Sequence, residues 1–148
     1  MGKELFPNFI KEHYEIHEWK HATAILKNDF VDEWDDIIQV LKNFRFRKSW
    51  ITVGVGEKSE ISKSIDKSFV ELGWKEKMFS TKVTVDENSL DSPTHKVDCY
   101  KNRIALEIEW NNKDPFFDRD LNNFRLLFDL RAISIGIIIT RCTELQKI

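Results

Sequence analysis

The stretch from Val97 to Trp110 constrains this chain more than any other. From Ile104 onward, Ile104, Leu106, Ile108 and Trp110 alternate with Ala105, Glu107 and Glu109, the period-two pattern of a half-buried strand. Upstream, Val97 to Tyr100 reads as its hairpin partner, with a two-residue turn at Lys101-Asn102 that pairs Tyr100 with Arg103 and Asp98 with Ala105. Paired residues share a face, so Asp98, Glu107 and Glu109 all point the same way, with diagonal neighbours about 7 Å apart. One or two hard cations would bridge such a set. The plain alternative is a solvated strand face, on which alternate outward glutamates are common.

The spacing Asp98-x8-Glu107-x-Glu109 resembles the PD-(D/E)xK nuclease motif, with Glu in place of the final Lys. Phosphodiester hydrolysis needs an activated hydroxide, charge neutralisation on the phosphate and help for the leaving oxygen. A Mg²⁺ ion held by two carboxylates, with positions left open, serves all three needs. A third polar group, here Glu109, would orient or deprotonate the attacking water, or ligate a second ion.

The likeness extends along the chain. Gly73-Trp74-Lys75-Glu76, the alternating Lys82-Val83-Thr84-Val85-Asp86, the hairpin itself, the strand Ile135-Gly136-Ile137-Ile138-Ile139 and Glu144-Leu145 follow one another in order. With the acidic, Trp-bearing helix around Trp34-Asp35-Asp36-Ile37, this resembles the BglII/BstYI family of type II restriction endonucleases over residues 22–148. The resemblance implies an α/β fold of the PD-(D/E)xK type, with a mixed sheet flanked by helices. It also implies a single nuclease domain over residues 1–148, residues 1–21 being an N-terminal extension. By the same resemblance Asp98 and Glu107 are metal-binding carboxylates for Mg²⁺, with Mn²⁺ as a substitute. The substrate is double-stranded DNA, cut at a palindromic site by a homodimer, and sites built on a GATC core are the implied target. Glu109 stands where the family usually has Gln, which bears on how the water is activated. The chain stops at Gln146-Lys147-Ile148, where family members continue, so a core shortened at its C-terminus is expected.

The net charge of −2 argues against a uniformly basic nucleic-acid binder, but the charge is uneven. Residues 1–44 carry nine acidic and five basic side chains, and residues 45–85 carry nine basic and five acidic ones. Arg45, Arg47 and Lys48, then Lys58, Lys63 and Lys67, are the phosphate-contact candidates, since DNA binding needs a local positive patch rather than a basic protein. Asn111, Asn112 and Lys113 leave the second hairpin strand just past Glu109. An Asn amide there can pair with adenine N6 and N7, as the resembled family's base contacts at this position imply. A simple strand-ending turn is the other reading.

Only Cys99 and Cys142 occur, without a CxxC, so reduced thiols in a cytoplasmic protein are expected. No apolar run of about 18 residues suggests a membrane span. His13, His17 and His21 share a four-residue spacing that would align them on a helix, most simply as a solvated face.

The remaining pattern predicts a helix over 29–44, capped by Asp29, with Phe30, Trp34, Ile37, Ile38, Leu41 and Phe44 inward. Val53-Gly54-Val55-Gly56 matches neither GxGxxG nor GxxxxGK and reads as a turn or as backbone lying close to DNA. A helix over 59–72 stopped by Gly73, a strand from Met78 to Val85 and a loop from Asp86 to Pro93 follow. A third helix over 118–131 turns Leu121, Phe124, Leu127 and Phe128 inward and leaves Arg119, Arg125 and Arg131 outside. Ile133 to Thr140 fits a central strand buried on both faces.

Two other functions fit this outline. A repair or junction-resolving nuclease of the same fold would cut branched or damaged DNA without sequence preference. A non-catalytic DNA-binding module would have no reason to crowd like charges on one face, since that raises carboxyl pKa values and costs stability.

Overall fold

The computed structural model describes residues 2–45, 60–92, 94–110 and 114–142. Its central sheet comprises β1 (Lys75–Lys77), β4 (Val97–Lys101), β5 (Ile104–Glu109) and β6 (Ile135–Thr140), in the order β1-β4-β5-β6. β1, β4 and β5 run antiparallel, whereas β6 lies parallel to β5, so the sheet is mixed as expected. One face is covered by the layer of α3 (Val31–Asn43) and α4 (Glu60–Glu71), with α1 (Asn8–His13) and α2 (Ala22–Asp29) packed on α3. The other face is covered by α5 (Asp114–Asp129). β2 (Thr81–Val85) and β3 (Asn88–Ser92) form a separate two-stranded ribbon.

The sheet is held from the α1–α4 side by Trp34, Ile37 and Ile38 of α3 and by Ile61, Ile65 and Phe69 of α4. They pack on Cys99, Ile104, Leu106 and Ile108. The expected α3 stripe is therefore present, but its start differs. Asp29 ends α2, and Phe30, at φ −130° and ψ 60°, separates the two helices. The acidic Asp32 and Glu33 in the first turn of α3 suit the positive end of its dipole. Gly73 ends α4 at φ +92°, where Trp74 N–H returns to the Phe69 carbonyl at 3.1 Å, as the sequence predicts.

Asp36 ties three elements together. Its Oδ2 accepts from Trp74 Nε1 at 3.0 Å and from Lys101 Nζ at 2.7 Å, and the same ammonium donates to the Leu72 carbonyl at 2.9 Å. Removing the carboxylate leaves a largely buried ammonium and a buried indole N–H short of a partner. Asp36→Ala is therefore expected to cost about 2–4 kcal/mol. Asp36→Asn, which keeps an acceptor for Trp74, is expected to cost less. Urea unfolding curves for the two variants check both the size and the ranking.

Several expectations need correction. The hairpin turn is at Asn102-Arg103, both with positive φ (45° and 72°), and Lys101 pairs with Ile104. Asp98 accordingly lies across from Glu107, not Ala105. A two-residue shift preserves the face, so the three carboxylates still point together. Asp86 to Pro93 is not a plain loop, because Asn88–Ser92 pairs back on Thr81–Val85 around a turn in which Asp86 has φ 54°. The turn-forming side chains hid a ribbon that rests on backbone hydrogen bonds, with Val83, Val85 and Leu90 exposed.

β6 packs Ile137 and Ile139 on one face and Ile138 on the other, but among the described residues it is the sheet's edge rather than a central strand. α5 is rotated from the expected orientation. Phe124 and Leu127 are buried, whereas Leu121 and Phe128 are exposed and Asp120 and Asn123 are turned inward. The three N-terminal histidines share no helix, since α1 ends at His13 and His21 sits at φ 58° before α2. The Val53–Gly56 segment lies outside the described residues. Cys99 and Cys142 are free thiols.

Candidate metal centre

β5 is buried along its whole length, so its outward glutamates do not form a solvated face. Glu107 is 1% exposed and Glu109 3%. α5 lies over them because its inward stripe, Asp120-Asn123-Phe124-Leu127, follows the i, i+3, i+4, i+7 pattern of a packed helix. The apolar half of that stripe meets Ala105 and Ile133. The polar half delivers Asp120, with no exposed surface, onto the carboxylates of β5.

Four carboxylates thus converge where β4, β5 and the N-terminal half of α5 meet. Asp98 Oδ2 accepts from the Ile108 N–H at 3.0 Å across the hairpin, which orients its carboxyl beside Glu107. Glu109 is fixed at the end of β5, where Thr140 Oγ1 of β6 donates to its carbonyl at 2.6 Å. Arg119 Nη2 stands 3.7 Å from both Glu109 Oε1 and Asp120 Oδ1, giving partial charge compensation. This arginine is exposed on the outer side of α5, as expected, with its guanidinium at the edge of the site. His95 brings a ring nitrogen near Glu107 and Asp120, the three ligand atoms lying within 4.8 Å of one another.

The electrostatics follow from this crowding. Burial first, then the hydrogen bond and charge of Asp98, then the charges of Asp120 and Glu109, push the Glu107 carboxyl up to about 10. Burial and the adjoining Asp120 carboxyl push Glu109 up to about 8, with Arg119 opposing the rise. Contacts between two carboxyls become hydrogen bonds only when one of them carries a proton. Among the described residues, Glu107 Oε1 and both Asp120 oxygens are buried and receive no hydrogen bond. Buried acceptors left without donors are costly, and a divalent cation is the partner their number and charge suit. The residues present therefore fit a metal ion.

The sequence-level candidates Asp98, Glu107 and Glu109 come together as the hairpin pattern predicts. Arg45 donates to the Phe44 carbonyl at 2.8 Å, holding the C-terminal end of α3. Arg47, Lys48, Asn111, Asn112 and Lys113 lie outside the described residues. Asp120 and His95 were not anticipated. The signal for Asp120 is its place four and seven residues before Phe124 and Leu127, an acid on a stripe otherwise packed against the sheet.

The family model for the restriction endonuclease BglII/BglIII matches residues 14–148. The chain belongs to that family. No curated protein matches it. For this BglII-family chain, the mixed sheet with helices on both faces fits the PD-(D/E)xK-like fold, and family membership makes it a restriction endonuclease that acts on double-stranded DNA. Among the described residues no helix is long and apolar enough to cross a membrane.

Proposed function

We propose that this chain is the subunit of a Mg²⁺-dependent type II restriction endonuclease that cuts duplex DNA at one palindromic sequence. The observation that carries this reading is the convergence of half-buried Asp98 with buried Glu107 and Glu109 in a member of the BglII/BglIII family. Asp98 and Glu107 would hold the ion. When bound, Mg²⁺ neutralises charge on the phosphate and helps generate the hydroxide nucleophile. Glu109, beside the same acids on β5, would position or deprotonate the incoming water, or ligate a second ion. The half-exposed guanidinium of Arg119 keeps a cation at the edge of the acidic site, where a phosphate would approach.

Cutting both strands of a palindrome calls for two active sites, hence a homodimer. Asn111, Asn112 and Lys113 follow directly on the catalytic strand and suit base contacts. Arg45, Arg47 and Lys48 suit the phosphate backbone, and a GATC-core site is the first target.

Incubation with unmethylated plasmid in Mg²⁺ or in EDTA, followed by end-sequencing, tests the reading. Discrete fragments with common ends are expected with Mg²⁺ only. Glu107→Ala is expected to lose cleavage while still shifting site-bearing DNA on a gel. Unchanged cutting by that variant would refute the assignment.

A further inference from the structure

We propose that His95, Glu107 and Asp120 form a second cation site, able to take a first-row transition ion such as Mn²⁺, beside the pair Asp98–Glu107. It deepens the nuclease reading in that Glu107 would be shared, but the ligand set stands on its own geometry. One ligand comes from each of three segments: the irregular stretch before β4, the middle of β5 and the first half of α5. Their donor atoms already lie within 4.8 Å of one another, within a small adjustment of the spacing around one ion.

The second observation is the state of Asp120. It has no exposed surface, and among the described residues neither oxygen has a fixed donor, the neighbouring Glu109 carboxyl being able to donate only when it carries a proton. Arg119, at 3.7 Å from Oδ1, is too far to donate one. Glu107 Oε1 is in the same condition. Three buried acceptor atoms beside an imidazole make a ligand set waiting for a cation.

The imidazole decides which ion. Mg²⁺ takes oxygen ligands and keeps several waters, whereas an imidazole suits the first-row transition ions; Mn²⁺, which also takes carboxylates, is the member of that row closest to Mg²⁺ and serves as the probe. The outer layer is in place too. Asn123, one turn after Asp120 and itself buried, donates through Nδ2 to the His95 carbonyl at 3.1 Å, and Thr94 Oγ1 donates to the Phe79 carbonyl at 2.7 Å. The first bond holds the His95 segment against the helix that carries Asp120, and the second ties it to the chain between β1 and β2.

The test is Mn²⁺ binding to the whole chain without DNA, read by pulsed electron paramagnetic resonance and by titration calorimetry. The expected spectrum carries nitrogen modulation from one imidazole. His95→Gln is expected to erase that modulation and weaken Mn²⁺ binding by about tenfold or more. Asp120→Asn, nearly isosteric, is expected to weaken it similarly. Asp98→Asn is expected to retain the nitrogen signal even where cleavage is lost, so failure of the nuclease reading and failure of this site remain separable. The proposal is overturned if wild type shows no nitrogen coupling, or if His95→Gln, folded by circular dichroism, keeps it.

Discussion

Glu107→Gln is expected to lower Mg²⁺-dependent cleavage by on the order of 10³-fold and, in EDTA, to make the protein more stable than wild type. The two effects have one cause. Glu107 is buried among Asp98, Asp120 and Glu109, and its carboxyl is pushed up to about 10. Without a cation, folding at neutral pH requires either a proton taken up against its ordinary acidity or a charge buried beside like charges. Gln fills the same volume without either cost. A gain of about 3–8 °C in melting temperature, equivalent to about 1–3 kcal/mol in a chain of this length, is expected.

The pH dependence follows by sign. A carboxyl whose folded pKa is raised binds protons more tightly in the native state. The stability it confers is complete below the unfolded value near 4.5 and is lost as pH rises through the folded value. With Glu109 raised to about 8 as well, metal-free wild type should weaken steadily from about pH 5 to pH 8. Glu107→Gln should weaken less over the same range. Saturating Mg²⁺ should reverse the ranking, since on the proposed reading it would bind the native acids of wild type and stabilise that state by mass action. Thermal melts at three pH values, with EDTA or Mg²⁺, check every part. A Glu107→Gln protein that melts below wild type in EDTA at pH 8 would sink the account.

How much of this was legible in the sequence depends on which interaction decides each feature. The shared face of Asp98, Glu107 and Glu109 follows from strand periodicity, and it survives even a misplaced turn because a shift of two residues leaves parity unchanged. The end of α4 at Gly73 is legible for a similar reason, since the left-handed conformation there is local chemistry. The helix α5 is a different matter. Leu121, Phe124, Leu127 and Phe128 make an acceptable apolar stripe, and hydrophobicity alone prefers it to one containing Asp120 and Asn123. What turns the helix is tertiary: Asn123 reaches the His95 carbonyl, and Phe124 fits over Gly136. Neither partner is local to α5 in sequence. The fourth carboxylate was hidden for that reason. The β2–β3 ribbon was obscured by the opposite circumstance, because its side chains face solvent and leave no burial pattern to read.

The contact at Gly136 supplies the second large effect. A Cβ at this position would lie 2.4 Å from Phe124 Cδ2 and 2.6 Å from Cγ, well inside contact distance. No special backbone angle is involved, so space alone requires the glycine. Phe124 is 7% exposed and lies one turn beyond Asp120 on α5. It cannot yield without moving the helix or leaving its rotamer. Gly136→Ala is therefore expected to cost about 2–3 kcal/mol. It should also reduce cleavage beyond what partial unfolding explains, because lifting α5 withdraws Asp120 from Glu107. Shortening the opposing ring gives the control. Phe124→Leu alone should cost about 1–2 kcal/mol through lost packing, and the double variant should be more stable than the sum of the singles predicts, by about 1 kcal/mol or more. Mg²⁺-dependent cutting should recover in the double variant. If the two substitutions simply add, the seat of Phe124 on Gly136 is not what positions α5 over the acidic site, and the approach of Asp120 must be set elsewhere along the helix.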